Sequence, residues 1–231
     1  MMEQMDITVF ASFFQQGGIF MYPILFVFLT GLSISLERWF QLSRTRSINQ
    51  KVWDSLYPML SKGQLEKVRQ TVSKDKSTIS KMLDMGLSRH SGVRRREDME
   101  IAMEESLMEI IPQLEKRTPY VALLSNIATL LGLLGTIMGL IQAFTAVANA
   151  NPAEKADLLS ASISVAMNTT AFGLMSAIPL LLFHAKITST TGQIVDSLEM
   201  ASVKALNSIS TAHRQKPGQM NSNLKEKNEK K

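Results

Sequence analysis

The chain contains no cysteine. That excludes a disulfide framework, a thiol nucleophile and any zinc or iron–sulfur centre built on thiolates. Charge is scarce as well. Asp, Glu, Lys and Arg make up 19% of the 231 residues, against about 25% in an ordinary soluble domain. The deficit is uneven: Ile7 to Leu36, Thr118 to Ala153 and Leu158 to Ala185 contain no charged residue at all. A helix needs about 20 apolar residues to cross a hydrocarbon core of about 30 Å, so each window can span a bilayer. A soluble enzyme would have to bury all three stretches in one core, which this length disfavours.

The charge that is present follows the same division. Residues 41–118 hold fifteen of the 25 Lys and Arg, residues 186–231 hold eight, and Arg38 and Lys155 complete the set. Basic residues are retained on the cytoplasmic side of membrane proteins, which predicts an N-terminus outside and a C-terminus inside. Glu3 and Asp6 precede the first window, and Glu154 and Asp157 lie between the second and third. The pI near 9.5 is therefore read as a topology signal. It does not indicate a nucleic-acid surface, because eleven acids are interleaved with the bases of residues 41–118. The acidic start, the length of the first apolar run and the lack of a small-residue cleavage site predict a retained first span. Arg38 and Trp39 fit its cytoplasmic boundary.

The expected fold is all-α: three membrane-spanning helices, extended at their cytoplasmic ends into a helical domain. Ile7, Phe10 and Phe14 predict an amphipathic outer-face segment over 1–16, and Gly17-Gly18 and Pro23 mark entry into a span over 17–40. A helical cytoplasmic domain is expected over 41–118, with breaks at Ser61-Lys62-Gly63 and from Ser88 to Gly92. From Asp98 onward Met99, Ala102, Met103, Leu107, Ile110 and Leu114 keep helical register towards a second span over 119–149, with bends expected at Pro112 and Pro119. A periplasmic loop over 150–157, a third span over 158–186, a cytoplasmic helix over 187–213 and a polar, disordered tail over 214–231 complete the reading. Arg94-Arg95-Arg96 and the acids that follow are read as a solvated helix surface in preference to a partner or lipid-headgroup contact. No His joins those acids at ligand spacing, so no metal site is expected.

The distinctive residues lie within the second and third windows. Ser125, Thr129, Gly132, Thr136, Gly139, Ala143 and Ala146 recur at alternating spacings of four and three, so small and hydroxyl side chains share one helix face. Ser162, Ala166, Thr169, Gly173 and Ser176 do the same in the third span, with Asn168 and Thr170 beside them. Small residues permit close helix approach in lipid. So many hydroxyls, with Asn168, also fit a polar path, since polar side chains in a membrane face the bundle interior or a water-filled cavity. No window holds a carboxylate, and His184 lies near the end of the third. If ions pass, the acidic group comes from a partner, and two polar-faced helices per chain require several copies to enclose a pore. A catalytic reading finds no support. Ser, His and Asp occur without nucleophile-elbow or metal spacing, and Gly132 to Gly135 lacks a phosphate-loop lysine.

Leu130 to Gly139, followed by Ile141-Gln142-Ala143-Phe144, resembles the signature of the ExbB/TolQ/MotA proton-channel subunits. So does Ile163 to Leu174 with Ala177-Ile178-Pro179. The order of three spans, the domain between the first two and the Glu37-Arg38 boundary extend the resemblance over nearly the whole chain, with ExbB the nearest branch. It implies a subunit of the bacterial inner membrane that forms a pentamer around single-span partners of the ExbD/TolR type. Those partners carry the membrane aspartate that takes and releases the proton, and the motion energises an envelope process, in ExbB systems through TonB. No cofactor is implied. Thr136 and Thr170 match the threonines that face the aspartate, and Thr129, Asn168, Thr169 and Val165 join them as candidate pathway residues. Val165 stands where many ExbB and TolQ chains have a glutamate, and Thr129 where a proline is common. Gly132, Gly135, Gly139, Gly173 and Pro179 are assigned to helix packing. The alternatives are a TolQ- or MotA-like motor, driven by protons or sodium, and a non-conducting scaffold that clamps a partner helix.

Overall fold

The computed structural model describes residues 13–14, 17–88 and 96–229. Among the described residues the longer elements are α1 Met21–Ser61, α2 Leu65–Val72, α3 Thr78–Ser88, α4 Arg96–Glu115, α5 Thr118–Asn149 and α6 Lys155–Glu229, all helices. No strand occurs among the described residues. Three helical stretches are long and apolar enough to cross a bilayer, within Met21–Ser61, Arg96–Ala148 and Lys155–Thr211. The segment expected over 1–16 lies outside the described residues apart from Phe13 and Phe14. The break expected from Ser88 to Gly92 falls there too, beyond the end of α3.

The helix ends follow from local chemistry. Gly63 has a φ of 67°, a left-handed conformation that glycine adopts without a Cβ penalty. Its N–H donates to the Leu60 carbonyl at 3.0 Å and that of Gln64 to the Met59 carbonyl at 3.0 Å, closing α1 with the reversed bonds of a glycine C-terminal cap. At the start of α3, the Ser77 hydroxyl oxygen accepts from the Ser80 N–H at 3.3 Å, as an N-cap serine does. The Asp75 carboxylate in turn accepts from the hydroxyls of Ser77 and Ser80. These bonds, the Ser77 hydroxyl's above all, hold the Asp75 carboxyl below the usual carboxylate range against the opposing effect of burial. Between α4 and α5 the chain passes through Arg117, which has a φ of 66°. Pro119 follows in the first turn of α5, where its missing N–H is not needed. Arg117 Nη1 donates to both carboxylate oxygens of Glu37, at 2.7 and 3.0 Å.

Two compact units share the chain. The first comprises Met1–Trp39 with Arg117–Thr188, and the second Phe40–Lys116 with Ser189–Lys231. The second has an ordinary apolar core. Leu56, Leu60, Val68, Met82, Leu83, Met103, Leu107, Ile194, Leu198 and Leu206 are buried in it, each such side chain contributing about 1.5–3 kcal/mol. Helix α3 packs against α4 at Gly86, where an added Cβ would meet the Met103 side chain, 2.7 Å from its Cγ. The core of the first unit is built differently, and that difference creates the candidate site.

Candidate ion-pathway site

In the first unit α5 buries Val121, Ser125, Ala128, Gly132, Gly135, Gly139 and Ala143. Leucines and isoleucines are left outside, including Leu130, Leu133, Ile137 and Ile141. Lipid tails are as apolar as leucine, so helices in a bilayer gain more by bringing their backbones together than by burying large side chains. The approach is closest where α5 crosses α6. A Cβ on Gly173 would lie 2.9 Å from the Ala128 carbonyl oxygen and 3.0 Å from Gly132 Cα, and one on Gly139 would lie 2.8 Å from Ala166 Cβ. A Cβ on Gly135 would overlap the Thr169 methyl group. Gly132, Gly135, Gly139 and Gly173 thus all lie where an added side chain would crowd the neighbouring helix. Pro179 is half-buried and lines an apolar cleft of about 330 Å³ with Trp39, Leu182, Phe183, Lys186 and Ile187.

The buried face of α5 is rotated from the stripe read in the sequence. Thr129 and Ala146 are exposed, while Ala128 and Gly135 face inward. The buried residues from Val121 to Gly139 keep the same four-three alternation, shifted so that the glycines, whose lack of a side chain permits the closest approach, face α6.

Hydroxyls sort into two sets according to what they bond. Thr30, Ser33 and Ser35 on α1 donate to the carbonyl four residues earlier, as does Thr129, to Ser125. Such bonds satisfy a hydroxyl within its own helix. Ser125, Thr136, Thr169 and Thr170 reach across to other segments. Ser125 donates to the Ala177 carbonyl at 2.8 Å, both helices buried at that point. Thr169, only 2% exposed, lies 2.6 Å from the Gly17 carbonyl and 2.9 Å from that of Val165. It fastens the turn that enters α1 onto α6. Phe14 adds edge-on ring contacts to Tyr22 at 5.3 Å and Phe172 at 5.7 Å.

Thr136 and Thr170 meet each other. Their hydroxyl oxygens are in direct contact, and Thr170 also donates to the Gly132 carbonyl at 2.9 Å. Thr136 lies 3.2 Å from the same carbonyl and 3.5 Å from that of Ala166. Both side chains are half-buried. Each stands at the centre of its uncharged window, Thr136 within 118–153 and Thr170 within 158–185, which places the pair about half-way through the span. A hydroxyl carries one proton and two lone pairs. With their protons directed to Gly132 and to one another, the two oxygens retain lone pairs that can accept from water or from a protonated carboxylic acid. Neither can store a charge.

Of the other expected pathway residues, Thr129 is exposed and bonded to its own helix. Asn168 and Val165 are half-buried, and the Val165 methyl Cγ1 packs near Gly18, 3.2 Å from where a Cβ on that residue would be. The fastening of Gly17 by Thr169 was not legible in the sequence. The Gly17-Gly18 pair, with Gly18 at a φ of 74°, is its only sequence signal.

Residues 74–200 match the MotA/TolQ/ExbB proton channel family. The chain is 26% identical over 189 residues to the putative biopolymer transport protein ExbB homolog of Methanothermobacter thermautotrophicus, which covers 81% of this chain and 66% of that one. It is 31% identical over 86 residues to the Tol-Pal system protein TolQ of Haemophilus influenzae, 37% of each. The chain therefore spans less than two thirds of the length of either relative. Its fold is similar to the solved structure of C. jejuni MotAB, with a TM-score of 0.57 over 82% of this chain and 75% of that one at 14% identity.

Proposed function

Because this chain belongs to the MotA/TolQ/ExbB proton channel family, we propose that it is the channel-forming stator subunit of an ion-driven motor in the bacterial inner membrane. Five copies surround single-span partners of the ExbD/TolR type, each with a membrane aspartate. The N-terminus is periplasmic and the C-terminus cytoplasmic, in keeping with the distribution of Lys and Arg. The observation that carries the reading is the paired hydroxyl site of Thr136 and Thr170, half-way along two windows that contain no acid. A wall of this kind hydrogen-bonds the partner's carboxyl group while adding no competing charge. The carboxylate picks up an ion on one side, passes the hydroxyls and releases it on the other, and the partner's displacement performs the work. An ExbB-type role acting through a TonB-like protein is the branch favoured by the ExbB-named relative. A TolQ- or MotA-type task uses the same wall. The chain itself performs no covalent chemistry in this scheme.

Thr170→Val tests it. In the co-expressed complex the variant should assemble normally but lose ion flux and energy-dependent function by on the order of tenfold, the scale of one lost hydrogen bond. Thr170→Ser, which keeps the hydroxyl, should retain most of the flux. Full flux in the valine variant would remove Thr170 from the pathway. A parent complex with no ionophore-sensitive flux would favour the non-conducting scaffold.

A further inference from the structure

Helix α6 carries two adjacent threonines, Thr169 and Thr170, and successive residues of an α-helix point about 100° apart. One rotational setting of α6 brings Thr170 to α5, and another would bring Thr169. The first is the one present: Thr170 makes the direct contact with Thr136 and donates to the Gly132 carbonyl at 2.9 Å. The sequence of α6 alone leaves the choice between the two hydroxyls open.

Thr169 is held by the turn that enters α1. Gly17 is buried, and a buried carbonyl needs a donor. The turn's own bonds pair the Gly17 N–H with the Phe14 carbonyl and the Met21 N–H with the Gly18 carbonyl, each at 3.3 Å. The Gly17 carbonyl accepts from the Thr169 hydroxyl at 2.6 Å, closer than the Val165 carbonyl of the hydroxyl's own helix at 2.9 Å. A hydroxyl has one proton to give, and the shorter contact is the one between segments. The turn also touches both helices. The Val165 Cγ1 methyl lies 3.2 Å from where a Cβ on Gly18 would be, and Phe20 Cβ lies 3.3 Å from where one on Gly135 would be. The Thr169 methyl group occupies the space that a Cβ on Gly135 would take. Threonine is β-branched and stiff at χ1, so its methyl against α5 and its hydroxyl on the turn are held in fixed relation. Gly135 precedes Thr136 and Thr169 precedes Thr170. The three-way contact therefore lies one residue from the hydroxyl pair on both helices.

From this geometry we infer that Thr169 is a positioning residue: by donating to the Gly17 carbonyl it fixes the rotation of α6, so that Thr170 and not Thr169 presents its hydroxyl to Thr136. The consequence for ion flux rests on the channel reading, whereas the placement of Thr170 is a property of the chain itself. The two halves of the side chain are separable. Thr169→Val removes the bond to the turn and keeps the shape against Gly135. Thr169→Ser keeps the bond and removes the methyl.

The chain has no cysteine, so Thr136→Cys with Thr170→Cys introduces its only thiols. The rate at which they form a disulfide under mild oxidation, in the full-length chain in native membrane vesicles, reports how the two positions face. Added to this pair, Thr169→Val should slow cross-linking by about fivefold, the scale of one hydrogen bond, and Thr169→Ser should stay near the parent rate. The opposite order would show that the methyl against Gly135 does the positioning. That order, equal rates in all three, or no cross-link in the parent overturns the inference. Circular dichroism checks that each variant folds. Ion flux supplies the second arm, in the co-expressed complex without the cysteines. Thr169→Val should reduce flux by about fivefold when Thr170 is present and by no further factor in Thr170→Val, where nothing is left to position. Equal factors in both backgrounds mean a merely structural role and overturn it. If the parent shows no flux, the channel reading falls, and the cross-linking order still decides what Thr169 does.

Discussion

Gly173 and Thr170 stand three residues apart on α6 and meet different demands. At Gly173 the limit is space. A methyl group there would enter the van der Waals shell of both the Ala128 carbonyl oxygen and Gly132 Cα, and backbone cannot turn aside as a flexible side chain can. Gly173→Ala is expected to destabilise the first unit by about 1–3 kcal/mol, the usual range for overpacking. Gly132→Ala, whose nearest contact would be 3.2 Å from Gly173 Cα, should cost less. Unfolding of the two variants in mixed micelles gives the comparison, and an equal or smaller loss in Gly173→Ala contradicts the crossing geometry. Thr170 is limited by chemistry: its hydroxyl matters and its size does not. Thr169 is a third case, in which a hydroxyl serves as a fastener. Thr169→Val should raise hydrogen exchange at the start of α1 by several-fold, consistent with the loss of one hydrogen bond of about 1 kcal/mol.

At the scale of an element, α3 shows how local chemistry sets a helix. It has 11 residues, too few to be stable alone, and depends on its cap and on its packing against α4. Ser77→Ala removes the side-chain acceptor for the Ser80 N–H and a hydroxyl donor to Asp75. It should weaken α3 by about 1 kcal/mol, visible as faster amide exchange from Ile79 to Leu83. The same cluster predicts a pH response. Asp75 titrates lower in the folded chain than its ordinary value of about 3.9. Its contribution is therefore fully present above that value and lost as the pH falls below it towards the folded pKa. Asp75→Asn should flatten the acid limb of the second unit's stability curve, and an unchanged limb would show that Asp75 adds nothing there.

For the whole molecule, the outer faces of the spans decide what one chain can do alone. Leu130, Leu133, Ile137 and Ile141 on α5 are exposed, as are Met167, Leu174, Ile178 and Leu182 on α6. Lipid satisfies such faces, yet a pore cannot be closed by the polar edges of two helices. The channel reading therefore requires a ring. Native mass spectrometry of the detergent-extracted protein should find a closed oligomer, with five copies expected, and a monomer retaining full flux in vesicles would contradict it.

Sequence was enough for the helical class, the three stretches long and apolar enough to span and the buried register of Met99, Ala102, Met103, Leu107, Ile110 and Leu114. Each of these follows from periodicity, charge and Cβ size, which are properties of single residues and of fixed spacings. Tertiary structure alone settled which hydroxyls leave their own helix and the contact of Thr136 with Thr170. They depend on how two helices are rotated about their axes, and that rotation follows from the close backbone approach at Gly132 and Gly173.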